Sequence, residues 1–129
     1  LVVAGYPLQQ YLLGLNVTRG SVSRLAGLGG DPTRFQITAP VQAGNSGGPV
    51  VNGAGQVVGV TVAKLDAAAV AEDTGDLPQN VNFAVQGELA ALFLATHRVG
   101  YETAPPAEPL GGEAVAERLE RATAYVECF

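Results

Sequence analysis

The sequence holds one cysteine, one histidine and no methionine, and each shortage closes off a class of protein. Cys128 has no second cysteine to join, so an intrachain disulfide within this sequence is excluded; the residue reads as a reduced, half-buried thiol or as one paired with a cysteine of a missing segment or another chain. With His97 as the sole histidine there is no His/Cys cluster, and no metal or cofactor is implied. Basic residues number only seven against twelve acidic ones, a formal charge of -5, and they are scattered from Arg19 to Arg121. Without a clustered cationic surface, nucleic acid is not expected as a partner. The apolar stretches are interrupted by Gly, Gln, Asn or Glu well before the roughly 20 residues that a bilayer-crossing helix needs, so no membrane span is expected. No initiator methionine precedes Leu1, and the chain opens directly into Leu1-Val2-Val3-Ala4, as a chain that begins inside a strand would.

What is present points to a β-rich fold. A length of 129 residues suits one compact domain, and 17 glycines with 8 prolines suit many turns rather than long helices. Leu1 to Ala4 reads as a buried strand closed by Gly5-Tyr6-Pro7. From Leu12 to Leu25 the β-branched residues recur around Gly20, which predicts two strands or one strand bent at a glycine bulge. Phe35-Gln36-Ile37-Thr38 alternates as a half-buried strand does. Pro49-Val50-Val51, the turn Asn52-Gly53-Ala54-Gly55 and Gln56 to Ala63 form a hairpin. Asp66 to Gln79 is expected to be an exposed loop with a helical turn over Ala67 to Ala71. Asn80 to Val85 is the last strand of the set, and Leu89, Leu92 and Phe93 predict a short amphipathic helix after it. The expected organisation is a β-barrel unit over 1–99, a linker over 100–112 and a tail over 113–129. In that tail, a helix with Val115, Leu119 and Ala122 inward precedes a strand-like Ala124 to Phe129.

The residues that carry chemistry lie in Gly44-Asn45-Ser46-Gly47-Gly48. A serine hydroxyl is a poor nucleophile at neutral pH and needs a base beside it, together with donors for the oxyanion formed when it attacks a carbonyl. Glycines let backbone amides converge without Cβ clashes, so Ser46 is the candidate nucleophile and the Gly44 and Ser46 amides are the candidate donors, with Asn45 and Gly47 shaping the loop. The same pentapeptide can be a solvated turn. It also fits a Gly-x-Ser-x-Gly hydrolase elbow with Asp76 and His97 following, but an elbow runs from strand to helix, whereas Pro49-Val50-Val51 continues as strand. A helix-end residue in solvent is the simpler reading of His97.

Residues 1 to about 96 resemble the C-terminal β-barrel of a chymotrypsin-fold, trypsin-like serine protease of the HtrA/Deg branch. The resemblance rests on Val3-Ala4-Gly5-Tyr6-Pro7, Val17 to Ser23, the Ser46 loop, Gly59-Val60 and Asn82-Phe83-Ala84-Val85. It implies an all-β, six-stranded antiparallel Greek-key barrel with a C-terminal helix and tail, and serine endopeptidase activity on a polypeptide substrate. It also implies a catalytic Ser46, an oxyanion hole at Gly44, Asn45 and Ser46, and substrate-binding positions at Pro40, Val41, Val62, Ala63 and Asn80. The segment Val62-Ala63-Lys64 would pair with substrate backbone, and Asn80 to Asn82 would form the far wall of the specificity pocket. The uncharged Asn45 implies activation without zymogen cleavage, and Pro40, six positions before the serine, implies a small or aliphatic side chain at the cleaved residue. A periplasmic or secreted location follows by the same resemblance.

The family's His and Asp precede its serine, and here only Asp31 and no histidine lie upstream of Ser46. The chain is therefore expected to be the second half of a protease domain, inactive alone. The alternative is a peptide-binding or assembly module that keeps the barrel and not the chemistry. Half of such a domain should also expose an apolar face. That face would be covered by a missing N-terminal barrel, by a dimer partner or by Ala124 to Phe129.

Overall fold

A computed structural model describes residues 1–64, 72, 75 and 80–129 and builds the chain around one sheet of seven strands. In order, β1 is Val2–Gly5, α1 Gln9–Leu12, β2 Asn16–Arg19, β3 Val22–Arg24, β4 Arg34–Ile37, β5 Pro49–Val51, β6 Val57–Lys64 and β7 Asn82–Gln86. Two longer helices follow, α2 at Gly87–Thr96 and α3 at Gly112–Ala122. The sheet order is β2-β1-β5-β6-β7-β4-β3, and every pairing is antiparallel. The loop expected over Asp66 to Gln79, with its helical turn at Ala67 to Ala71, lies outside the described residues except at Glu72 and Gly75.

The all-β reading holds for the sheet, but seven strands in an open half-barrel replace the expected six in a closed barrel. The reason lies at Gly20-Ser21. Gly20 donates its N–H to Leu1 O at 3.1 Å, while Thr38 donates its N–H to Ser21 O at 3.0 Å, so the chain is handed from β1 to β4 within two residues. The Gly20 backbone passes so close to Ala39 that a Cβ there would overlap its amide nitrogen. The run from Leu12 to Leu25 thus divides into β2 and β3, which end as the two opposite edges of the sheet.

Strand alternation explains why β1 and β5 read as unbroken apolar runs rather than as alternating ones: both of their faces are covered. Val3 and Val50 point into a core with Phe35, Ile37, Ala39, Val41 and Ala84. Val2, Ala4 and Val51 point the other way and are covered by Val115 and Leu119 of α3. The apolar outer face is therefore covered at this point by helix α3 and not by Ala124 to Phe129. That last segment forms no strand. Its Tyr125 ring meets the Tyr6 ring just after β1, next to the hydrogen bond from Tyr6 to Thr123 O, and Val126 and Phe129 are exposed.

Helix α2 also corrects an expected face. Leu92 and Phe93 are 61% and 62% exposed, and Leu89 and Leu94 are the half-buried leucines. Its sequence is apolar almost all round, so spacing alone did not select the packed side. Cys128, expected to be half-buried, is exposed. Residues 100–111 have no regular structure but are tied to the β5–β6 turn, where Gln56 Nε2 donates to Pro105 O at 2.7 Å and Leu110 N–H to Gly53 O at 2.8 Å.

Candidate active site

The segment from Thr38 to Gly48 crosses from β4 to β5, and its shape follows from where each backbone amide goes. Asn45 N–H donates to Gln42 O at 3.0 Å, Gly48 N–H to Asn45 O at 2.9 Å, and Gly47 N–H to Thr61 O at 2.7 Å. The buried Asn45 side chain braces the turn by accepting the Gln42 N–H on Oδ1 at 3.1 Å. Among the described residues, the Gly44 and Ser46 amides donate to no protein group.

Peptide planarity sets the direction of those two free amides. In a trans peptide the C=O and N–H point opposite ways. Leu8 N–H donates to Ala43 O at 3.3 Å, so the N–H of the same peptide, that of Gly44, is turned away from Leu8. Gly48 N–H holds Asn45 O, so the Ser46 N–H is turned away from Gly48 in the same manner. Gly44 sits at φ 99°, and a Cβ there would lie 2.5 Å from Tyr6 O, so only glycine fits.

Ser46 is exposed, and its hydroxyl donates to Val62 O at 3.1 Å. Val62 lies just beyond the last residue of β6 that β5 pairs, Val60. Val62 is skipped in the register with β7, which resumes at Ala63 and Lys64, while among the described residues the other side of this stretch, next to Ser46, pairs with no strand. The structure thus gathers Gly44, Asn45, Ser46 and Val62. Of Ala63 it describes the backbone alone, within that stretch.

The other expected positions make no hydrogen bond to Ser46 among the described residues. Pro40 is exposed, and its carbonyl oxygen accepts the Thr18 hydroxyl at 2.9 Å. The Val41 side chain is buried in the core with Val3 and Ile37. Asn80 is exposed with φ 54°, whereas Asn82 is buried and donates through Nδ2 to Ala39 O at 2.8 Å. Tyr6, Leu8 and Thr61, which support the loop through backbone bonds, were missed because such bonds leave no mark on residue type. The only signal was Tyr6-Pro7, which showed a turn and not what the turn held.

His97 closes α2, where its Nδ1 carries a proton donated to Phe93 O at 2.8 Å and its ring stacks on Phe93. Ser46 is followed by β5 and β6 and not by a helix, which removes the strand-turn-helix elbow. Asp31 is a turn residue: it accepts the Thr33 hydroxyl at 2.6 Å and the Thr33 N–H at 2.9 Å, with Arg34 Nε 3.5 Å away. These hydrogen bonds, the hydroxyl's above all, and then the Arg34 charge hold its carboxyl below the usual aspartate range.

Comparison with known proteins places this geometry. The trypsin-like peptidase domain family matches residues 1–60. The serine endoprotease DegS of Escherichia coli is 32% identical over 88 residues, 65% of this chain and 24% of DegS. The HtrA-type protease AlgW, solved with a decapeptide, superposes with a TM-score of 0.55 at 26% identity, over 74% of this chain and 27% of AlgW. This chain has the HtrA/Deg-like trypsin fold. The inactive form of the Rv3671c protease superposes with a TM-score of 0.50 at 28% identity, over 78% of this chain and 47% of that one. The uncharacterized protein y4bJ of Sinorhizobium fredii is 44% identical over 129 residues, 99% of this chain. The HtrA/Deg-like chain spans only about a fifth of y4bJ and a quarter of DegS. No helix among the described residues is long and apolar enough to cross a membrane.

Proposed function

We propose that this chain is the serine-bearing half of a trypsin-like endopeptidase domain whose His and Asp are supplied by sequence preceding Leu1. The observation that carries this reading is the pair of uncommitted amides, Gly44 and Ser46, beside an exposed hydroxyl, in a turn where the intervening Asn45 amide and the following Gly47 and Gly48 amides are all hydrogen-bonded. Such a loop suits an oxyanion, because its donors are held in place before any charge develops. Ser46 would attack the scissile carbonyl carbon as an upstream histidine takes its proton. The carbonyl oxygen would gain charge against the Gly44 and Ser46 amides, and the amine would leave with that proton.

The substrate is an extended polypeptide. The edge of Val62 to Lys64, which pairs with no strand among the described residues, suits antiparallel pairing with a peptide backbone. Pro40 and Asn80 to Asn82 would border the pocket for the residue before the cut, favouring a small or aliphatic side chain. The buried Val41 side chain leaves that residue only its backbone to offer. Action in the cell envelope, periplasmic or secreted, follows from the HtrA/Deg resemblance.

The second reading, a silent peptide-binding module, is favoured by the hydroxyl's present partner, a carbonyl and not a base. A fluorophosphonate probe separates the two. Labelling of the complete protein that is lost in Ser46→Ala establishes the protease, and absence of labelling with retained peptide binding establishes the module.

A further inference from the structure

The C-terminal segment lies outside the resemblance, yet Tyr6 ties it to the candidate oxyanion loop. Tyr6 donates its hydroxyl to Thr123 O at 3.1 Å, across 117 positions of sequence. Its ring meets the Tyr125 ring edge-on, with centroids 5.8 Å apart. On its backbone side, Tyr6 N–H donates to Gly44 O at 3.3 Å, and Leu8, two residues on, donates to Ala43 O. The segment Tyr6 to Leu8 therefore holds both carbonyls that bracket the Gly44 residue.

We infer that Tyr6 is a positioning residue through which the segment Thr123 to Tyr125 sets the direction of the Gly44 amide. This rests on the reading of Gly44 as an oxyanion donor. The Ala43–Gly44 peptide can turn its N–H inward only if Leu8 N–H releases Ala43 O, and that release requires Tyr6 to Leu8 to move off the loop. Pro7, with no amide hydrogen and a fixed φ, stiffens the middle of that segment. The segment is held at Thr123 through the Tyr6 hydroxyl and at the loop through the Tyr6 and Leu8 amides. Helix α3, anchored by Val115 and Leu119, holds the Thr123 end against the sheet. A tail docked in this way keeps the amide outward, and a displaced tail lets the peptide turn.

The test uses the complete protein with a peptide substrate and a fluorophosphonate. Tyr6→Phe removes the hydroxyl alone, and kcat should fall about 2- to 10-fold, the worth of one hydrogen bond, with KM nearly unchanged. Tyr125→Ala should lower kcat in the same direction, while Tyr125→Phe, which keeps the ring, restores it. The number of titratable sites stays constant and the labelling rate falls. Wild-type kcat in Tyr6→Phe overturns the inference and leaves the protease reading intact. A KM increase at constant kcat, or a lower unfolding midpoint with no kcat change, overturns it equally. A wild-type protein that takes no label overturns the protease reading, and this inference with it.

Discussion

The Ser46 hydroxyl donates to the carbonyl oxygen of Val62 at 3.1 Å, on the surface and beyond the part of β6 that pairs with β5. A bond of this kind between exposed groups exchanges readily with water and adds at most about 1 kcal/mol to stability. Ser46→Ala should therefore leave the urea unfolding midpoint within the range of ordinary surface substitutions while removing all fluorophosphonate labelling of the complete protein. A large loss of stability would mark Ser46 as a structural turn residue.

Gly44 is placed so that any side chain is penalised twice, by its φ of 99° and by Tyr6 O lying 2.5 Å from where a Cβ would be. Gly44→Ala should cost about 1 to 3 kcal/mol in backbone strain. If its amide serves the oxyanion, kcat should fall about 100- to 1,000-fold. Steady-state kinetics and chemical unfolding on the same variant separate the two effects. Strain without a kcat loss would remove Gly44 from the oxyanion hole.

Much of the fold was legible because its cause is local. Val2-Val3-Ala4 and Pro49-Val50-Val51 are apolar on both strand faces, which marks strands covered on both sides, and Asn52 to Gly55 is a turn by its residue types alone. The Ser46 loop was legible for the same reason, since its glycines record backbone geometry directly. The division at Gly20-Ser21 was not, because it depends on which strand captures each carbonyl. Nor was the packed face of α2, whose apolar residues surround the helix. Tyr6 is the clearest case: its partners Gly44 and Thr123 lie 38 and 117 positions away, and no spacing rule reaches them.

Thr61 is wholly buried, and among the described residues its hydroxyl has no hydrogen-bond partner. Its backbone is committed, with the carbonyl accepting Gly47 N–H and the amide donating to Gly48 O. Thr61→Val keeps the shape and the strand preference and removes the unsatisfied group, so it should stabilise the fold by about 1 to 3 kcal/mol. A lower urea midpoint in this variant would show that the hydroxyl is hydrogen-bonded after all.

Asp31 should titrate below the ordinary aspartate value of about 3.9, because its charged form is held by the Thr33 hydroxyl, then the Thr33 amide, then Arg34. The folded pKa is the depressed one, so the stabilisation is complete above the unfolded value and is lost as pH falls through the folded value. A carboxyl NMR titration reads the midpoint directly, and Thr33→Ala should raise it toward the ordinary value. A midpoint at or above the ordinary value in the wild type would dissolve the proposed clamp on this turn.

Helix α3 sets its only two buried side chains, Val115 and Leu119, on the outer face of β1 and β5, and Arg118 Nη1 donates to Ala54 O at 3.1 Å beside them. If this contact belongs to the same cooperative unit as the sheet, Leu119→Ala should lower global stability by about 2 to 5 kcal/mol, the range for emptying a buried leucine site. Unfolding would remain a single transition by helix and near-ultraviolet signals alike. Hydrogen exchange makes the comparison residue by residue: amides of α3 and of β1 should open with the same free energy in the wild type and shift together in the variant. Independent opening of α3, with β1 protection unchanged, would mean that the helix rests on the sheet without contributing to its fold, and that Val2, Ala4 and Val51 are stable without that cover.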